Sequence, residues 1–261
     1  HLSIRRQRQM CIRDRISLWN YTHYAHTGSL EETVRECAES GFGVELWPDW
    51  KDDRHLFSPL YRDRLRLLLA NVPSSFHGSG ARTLEEHEEQ IDCAAYTRSD
   101  VIVVHPSTLH LGEPQPDYGF AREVVARAAE QQVIIALENG PLPVLAEAIA
   151  QVEGLGICFD TGHAYLAELK AGKAPPSLAT YLEVLKRRLV HLHLQDPLPD
   201  TDHYTLGTGV LSGPDWELLL ATLEEINYQG AAVFEIRPYR PLQTAHQSIA
   251  FLEALAGPQS G

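Results

Sequence analysis

The chain has 261 residues, 44% of them hydrophobic, and a formal net charge of −13. This length suits one large α/β domain or two small ones, and the acidic excess argues against a partner bound through a nucleic-acid backbone. No apolar run approaches the roughly 20 residues of a membrane helix and no signal-peptide pattern is present, so we expect a cytoplasmic protein.

The first fifteen residues differ from the rest of the chain. They hold five arginines against one acid, Asp14, and show neither a helical nor a strand period. We expect residues 1–15 to be a disordered lead-in or a segment foreign to the native protein, with an RNA-binding arm as the alternative. We place one domain at residues 16–257 and a short tail at 258–261. The four cysteines form no CxxC pair, so we expect reduced thiols.

From Ile16 onward, strand-like runs alternate with amphipathic helical patterns. The predicted strands are 16–19, 43–47, 74–77, 101–105, 133–138, 156–160, 189–194 and 231–236. The predicted helices are 30–40, 59–70, 83–98, 118–131, 142–152, 177–188, 215–226 and 243–256. Strands that are apolar on both faces, each followed by a helix, predict a single-domain α/β protein with the (β/α)8 TIM barrel fold. A doubly wound sheet would carry a glycine-rich phosphate loop after the first strand, and residues 20–23 are not such a loop, so we expect no nucleotide cofactor.

Seven consecutive strands end in an acid or a histidine. These strand-end residues are Glu45, His77, His105, Glu138, Asp160 with His163, His193 and Glu235. The carboxyl ends of all strands in such a barrel open onto one face, so we expect the seven ends to meet there. An acid at a strand end is commonly a helix cap, but so many unpaired charges in one place would be costly without a cation.

The predicted cofactor is therefore a divalent metal ion. Two carboxylates on opposed strands, together with Asp160 and His193, form an oxygen and nitrogen ligand set without thiolate, which suits Mn²⁺, Co²⁺, Mg²⁺ or Zn²⁺. His191 shares the face of His193 but lies deeper on the strand, so we expect it in the barrel interior. Trp19 and Trp47, near strand ends, could line a pocket for the apolar face of a sugar.

Several motifs resemble the xylose isomerase-like TIM barrel superfamily, which includes sugar phosphate isomerases and epimerases, inosose dehydratase and endonuclease IV. They are Glu138-Asn139, Asp160-Thr161-Gly162-His163, His193-Leu194-Gln195-Asp196, Gly207-Thr208-Gly209 with Asp215-Trp216, and Glu235. In the epimerase branch the resemblance implies one divalent ion held by Glu138, Asp160, His193 and Glu235, with His163 touching a small sugar or polyol substrate. Glu138 and Glu235 would enter from opposite sides of the barrel mouth, one removing a proton beside the substrate carbonyl and the other returning it.

In the endonuclease IV branch, the AP endonuclease family 2, the resemblance implies several zinc ions. His77, His105, His163 and His203 match further ligands of that branch, and in a one-metal enzyme the first three would contact substrate instead. The departure is Thr201, where the pattern has an acid; Asp200 and Asp202 flank it and could supply the carboxylate. The alternative function is thus a multinuclear zinc phosphodiesterase or AP-endonuclease-like hydrolase.

Arg237 follows Glu235 by two residues and should lie just above it. Its guanidinium could bind a sugar hydroxyl or phosphate, or pair with an acid of a loop. A non-catalytic barrel that binds a metabolite is a third possibility, against which the pair of glutamates counts. The sequence leaves a homo-oligomer open.

Overall fold

Eight short parallel strands close into a barrel, with the helices between them in chain order. The structure is a computed structural model, and it describes residues 14–19, 29–48, 56–78, 80–173, 176–237 and 241–256. The barrel strands are β1 Arg15–Ser17, β2 Gly43–Leu46, β3 Ser74–His77, β4 Val101–Val104, β5 Ile134–Leu137, β6 Gly156–Asp160, β7 Leu189–Leu194 and β10 Ala231–Phe234. Their order round the barrel is β1-β10-β7-β6-β5-β4-β3-β2. The predicted (β/α)8 fold is confirmed.

Nine α-helices and two short 3-10 helices, Pro106–Leu109 and Lys186–Arg188, lie in the described part of the chain. The α-helices are α1 Leu30–Glu39, α2 Arg62–Leu68, α3 Leu84–Thr97, α4 Tyr118–Glu130, α5 Leu142–Gln151, α6 Thr161–Lys170, α7 Ala179–Leu185, α8 Gly213–Glu225 and α9 Pro241–Leu255. Helix α3 begins with the capping box predicted from the sequence, in which the Thr83 side chain accepts from the Glu86 backbone. None of these helices is long and apolar enough to span a membrane.

Two elements were not predicted. Helix α6 begins directly after Asp160, where Gly162 in its first turn has poor helix propensity and suggested a turn instead. A two-stranded antiparallel hairpin, β8 Asp196–Leu198 and β9 Thr201–Tyr204, follows β7. Strand β8 could not be predicted because it contains Pro197, and proline in a sequence argues against a strand. Both elements lie at the carboxyl ends of the strands, so both shape the mouth of the barrel.

The first described strand begins one residue before the predicted start of the domain at Ile16. Strand β1 includes Arg15, which we had placed in the lead-in; its side chain is buried and donates two hydrogen bonds to Asp100 at 2.9 and 2.8 Å. Residues 1–13 and 257–261 lie outside the described residues. Of the four cysteines, Cys37, Cys93 and Cys158 are described, and all three are buried and outside any disulfide.

The core has two parts of different character. A large apolar layer fills the space between strands and helices. Among the described residues, a second and smaller apolar cluster, Val101, Val103, Ala136 and Cys158, lies in the barrel interior. Such interiors are usually filled by layers of branched apolar side chains. Here buried polar side chains from β2 and β7, which are not neighbours, contact each other inside the barrel. The interior therefore supports a polar site at the mouth.

Candidate metal centre

Four of the predicted side chains converge at the mouth of the barrel. One ligand atom from each of Glu138, Asp160, His193 and Glu235 lies within 4.8 Å of all the others, and all four residues are buried. We call this group the central cluster. Its members come from four adjacent strands, β5, β6, β7 and β10, and Asp160 and His193 are partners in the register of β6 and β7.

The sequence placed the two glutamates on opposed strands, and the structure corrects this. They follow the last residues of β5 and β10, which are three strands apart in a ring of eight. The barrel strands follow one another in chain order round the ring, so the fifth and eighth of them, β5 and β10, are separated by two strands, β6 and β7. Glu138 and Glu235 therefore flank Asp160 and His193 and do not face each other directly across the mouth.

His193 lies between carboxylates. Its Nδ1 is 2.9 Å from Glu235 Oε2 and also contacts Glu138 Oε1. Neither His193 Nδ1 nor Glu138 Oε1 has a hydrogen-bond partner, although both are buried. Buried polar atoms that make no hydrogen bond are costly, and oxygen and nitrogen atoms gathered at this spacing are suitable ligands for a hard or borderline divalent cation. The central cluster fits such an ion.

The charges in the cluster reinforce this fit. Burial by itself lowers the pKa of His193, but the surrounding carboxylates, Glu45 and Glu138 first among them, outweigh it and raise the pKa well above the usual value. Burial raises the pKa of Glu138, but the neighbouring His193 more than offsets it and the pKa is held well below the usual range. Burial also raises the pKa of Glu235, but the charge of His193 outweighs it, and the pKa of Glu235 is lowered overall. The protein without metal thus holds ionised carboxylates around a protonated imidazole.

Glu45 lies behind the cluster and not in it. Its Oε1 is 2.8 Å from His193 Nε2, and its Oε2 is 2.8 Å from His191 Nε2 and accepts a hydrogen bond from Ser75 Oγ at 3.0 Å. His191 is fully buried, as expected for a residue of the barrel interior, and burial lowers its pKa. Glu45 therefore faces the inner nitrogen of His193 and leaves the outer nitrogen, Nδ1, directed at the cluster.

His77 and His105 reach Glu138 from the other side. His105 Nε2 is 3.1 Å and His77 Nε2 is 3.5 Å from Glu138 Oε2. These three residues form a second group whose ligand atoms lie within 4.8 Å of one another. The ring of Trp47 packs against His77, with ring centres 4.1 Å apart. Glu138 is thus shared by two candidate groups.

The hairpin supplies a third group. Strand β9 carries Asp202 and His203, and His203 joins Asp160 and His163 within the same 4.8 Å limit. Asp202 Oδ2 is 3.3 Å from His163 Nε2, and Asp202 Oδ1 is 2.8 Å from His203 Nδ1. Asp202, one of the two acids that flank Thr201, thus contacts both histidines of this group.

Both histidines of the third group hold protons tightly in the absence of metal. Burial lowers the pKa of His163, but Asp160 and Asp202 outweigh it and raise the pKa to about 11. Burial also lowers the pKa of His203, but Asp202 and Glu235 outweigh it and raise the pKa to about 9. The pKa of Asp202 is lowered by its hydrogen bonds to the two histidines.

Arg237 is engaged by the hairpin. Its Nη2 lies 2.9 Å from Asp202 Oδ1, which is the loop-acid alternative considered from the sequence. Contact between Arg237 and substrate stays a prediction. A cavity of about 510 Å³ adjoins the site, bordered by Asn139, Asp160 and His163 and otherwise by mainly apolar residues of α5, α6 and α7.

Asp160 has two roles at once. Its Oδ1 accepts from the His163 backbone at 2.7 Å and so caps α6, while the same carboxylate belongs to the central cluster. Gln195, for which we predicted no role, donates from Nε2 to both Asp160 oxygens at 3.0 and 2.9 Å. The signal for it was present in the sequence, since residues 191, 193 and 195 alternate onto one face.

Comparison with known proteins extends these observations. A family model described as "Xylose isomerase-like TIM barrel" matches residues 34–255. A search of curated proteins found no match.

Solved structures resemble the chain over almost its whole length. A D-tagatose 3-epimerase-like protein has a TM-score of 0.72 and 21% sequence identity, covering 94% of this chain and 97% of that one. The TTHB071 protein from Thermus thermophilus, soaked with ZnCl2, has a TM-score of 0.68 and 24% identity, with 95% and 99% covered. A D-psicose 3-epimerase crystallised in the presence of D-fructose has a TM-score of 0.67 and 13% identity, with 94% and 100% covered. At these identities the likeness shows the fold.

Proposed function

Because the chain belongs to the xylose isomerase-like TIM barrel family, we propose that it is a divalent-metal-dependent epimerase or isomerase of a small sugar or polyol. The observation that carries the proposal is the central cluster, four buried ligand residues gathered within 4.8 Å. The epimerases among the structures of the same fold support the choice of substrate class.

Glu138, Asp160, His193 and Glu235 would hold the ion. When bound, a divalent cation supplies positive charge that polarises a substrate carbonyl and acidifies the neighbouring C–H bond. Glu138 and Glu235 are the two groups that move protons. One carboxylate takes the proton from one face of the substrate carbon. The other, which is ionised in the resting protein, takes up a proton from water and delivers it to the opposite face, and the first carboxylate afterwards loses its proton to water. The C–H bond is broken and remade with inverted configuration.

The remaining residues of the mouth would position the substrate. His163 lies beside Asp160 and is partly exposed, so it can donate to a substrate hydroxyl. Trp19 and Trp47 form an aromatic wall, with ring centres 6.5 Å apart and Trp19 packed 4.6 Å from His203. Aromatic faces of this kind pack against the apolar face of a sugar ring, while hydroxyls are directed to the polar side.

Exchange of hydrogen for deuterium tests this function. The protein, loaded with Mn²⁺ in D2O, is mixed with a panel of ketoses, and deuterium at the carbon beside the carbonyl is followed by NMR. We expect metal-dependent exchange with at least one ketose, lost in Glu235→Gln and kept in Glu225→Gln, a control at the surface end of α8. Exchange that survives in Glu235→Gln would remove this residue from the chemistry, and no exchange with any ketose would count against the function.

A second candidate, a multinuclear zinc phosphodiesterase, is favoured by one observation. The two further groups, His77–His105–Glu138 and Asp160–His163–His203, each share a residue with the central cluster, as bridged metal sites do. Metal analysis separates the candidates. About one ion per chain supports the epimerase, whereas two or three zinc ions together with hydrolysis of bis(4-nitrophenyl) phosphate would support the hydrolase.

A further inference from the structure

Gln195 joins the central cluster to the hairpin. Its side chain is fully buried, and its Nε2 donates to Asp160 Oδ1 and Oδ2 at 3.0 and 2.9 Å. On the other end of the amide, Oε1 accepts from the His203 backbone N–H at 2.5 Å. An ionised carboxylate only accepts and a backbone N–H only donates, so a single orientation of the amide satisfies both partners.

The position of Gln195 is fixed from two further sides. Thr161 Oγ1 donates to the Gln195 carbonyl at 2.6 Å and lies 3.0 Å from the Gln195 backbone nitrogen. At Gly162 a Cβ atom would stand 2.4 Å from Gln195 Oε1, so only glycine leaves room for the amide. The start of α6 is therefore built around this side chain.

The hydrogen bond from His203 to Gln195 bears on the shape of the site. His203 has a left-handed backbone with φ of 66°, which is strained for a residue other than glycine, and its N–H is the group held by Gln195. The same backbone conformation carries its ring toward Glu235, with Nε2 3.8 Å from Oε2. Asp202, the adjacent residue, contacts His163. One amide thus determines the orientation of a candidate metal ligand and the placement of the hairpin.

We propose that Gln195 is a positioning residue that orients Asp160 toward the bound cation and holds the hairpin over the mouth of the barrel. The first half rests on the proposed metal site, and the second half does not. Residues that hold metal ligands in this way typically change metal affinity by 10- to 100-fold when they are replaced.

Two variants test the proposal in different ways. Gln195→Leu keeps a similar side-chain volume and removes the hydrogen bonds to Asp160 and to the His203 backbone. Gly162→Ala leaves Gln195 intact but displaces it, and since alanine favours helices more than glycine, a purely structural effect on α6 would stabilise the fold. The control is Gln229→Leu, because the Gln229 amide donates to Asn227 in an exposed turn.

Two measurements are made on each variant after circular dichroism has verified its fold. Calorimetric titration of metal-free protein with Mn²⁺ should give a 10- to 100-fold weaker affinity for Gln195→Leu and Gly162→Ala and no change for the control. Hydrogen exchange at the His203 amide, measured by NMR, should be at least about tenfold faster in the same two variants.

The outcomes separate this proposal from the proposed function. Unchanged Mn²⁺ affinity in both variants, beside tight binding by the wild type, would overturn the orientation of Asp160 by Gln195. Unchanged exchange at His203 would overturn the link to the hairpin. A wild-type protein that binds no divalent cation would overturn the proposed function and the metal half of this proposal, while faster exchange at His203 would still support the hairpin half.

Discussion

The affinity of the central cluster for a divalent cation should increase steeply with pH. In the metal-free protein His193 lies among carboxylates that raise its pKa well above the usual value of 6.5. A cation binds the neutral imidazole, so the proton must leave first. Glu138 and Glu235 have lowered pKa values and are already ionised, so they add no proton dependence in this range.

The magnitude follows from the release of one proton. The association constant should increase about tenfold per pH unit, or about 100-fold from pH 6 to pH 8, which corresponds to about 2.7 kcal/mol. An unperturbed imidazole would give little further increase above its pKa of about 6.5. The raised pKa of His193 therefore predicts that the increase continues through pH 7 and 8.

Calorimetric titration with Mn²⁺ at pH 6, 7 and 8, each in two buffers of different ionisation enthalpy, measures both affinity and proton release. His110→Gln, which replaces a partly exposed histidine on the side of the barrel, should keep the slope. An affinity that levels off near pH 6.5, with no proton released at pH 8, would refute the reasoning about His193.

Three further predictions concern the hairpin, the barrel wall and the metal-free protein. His203→Ala should change turnover by less than about threefold if one ion is bound, and by about a hundredfold or more if His203 is a ligand in a multinuclear site; steady-state kinetics distinguishes these results. Gly156→Ala should destabilise the fold by about 1–3 kcal/mol, because the added Cβ would stand 2.4 Å from Val190 Cγ2 between neighbouring strands; an unchanged urea midpoint would contradict this. After metal removal, stability should be highest below pH 6.5 and fall as the pH rises through about 9, because the folded state holds a proton on His203 that the unfolded chain releases earlier; melting temperatures that do not fall over that range would contradict it.

The sequence predicted the barrel and the four residues of the central cluster because both follow from local patterns. Strands such as Val101–Val104 are continuous apolar runs, and the polar residue that ends each run marks the open face of the barrel. Strand ends that are distant in sequence must meet once the sheet closes, so convergence of Glu138, Asp160, His193 and Glu235 could be expected from topology alone.

The residues that contact and orient the central cluster could not be predicted in the same way. Strand-end position does not indicate depth, and Glu45, which lies one residue before the end of β2, sits behind His193 within the barrel. Gln195 continues the alternation of His191 and His193, but its contact with His203, like the position of Asp202, depends on the hairpin, which is held by a hydrogen bond between residues eight positions apart and has a left-handed residue at His203. Contacts of this kind have no periodic signature in the sequence.

The most direct test of the metal centre is a crystal structure of the Mn²⁺-loaded protein with anomalous diffraction at the manganese edge. We predict a strong peak at the mouth of the barrel, with Glu138, Asp160, His193 and Glu235 as its protein ligands and metal–ligand distances of about 2.0–2.3 Å. A peak bound elsewhere, or a central cluster that stays free of metal while the ion is in excess, would contradict the account.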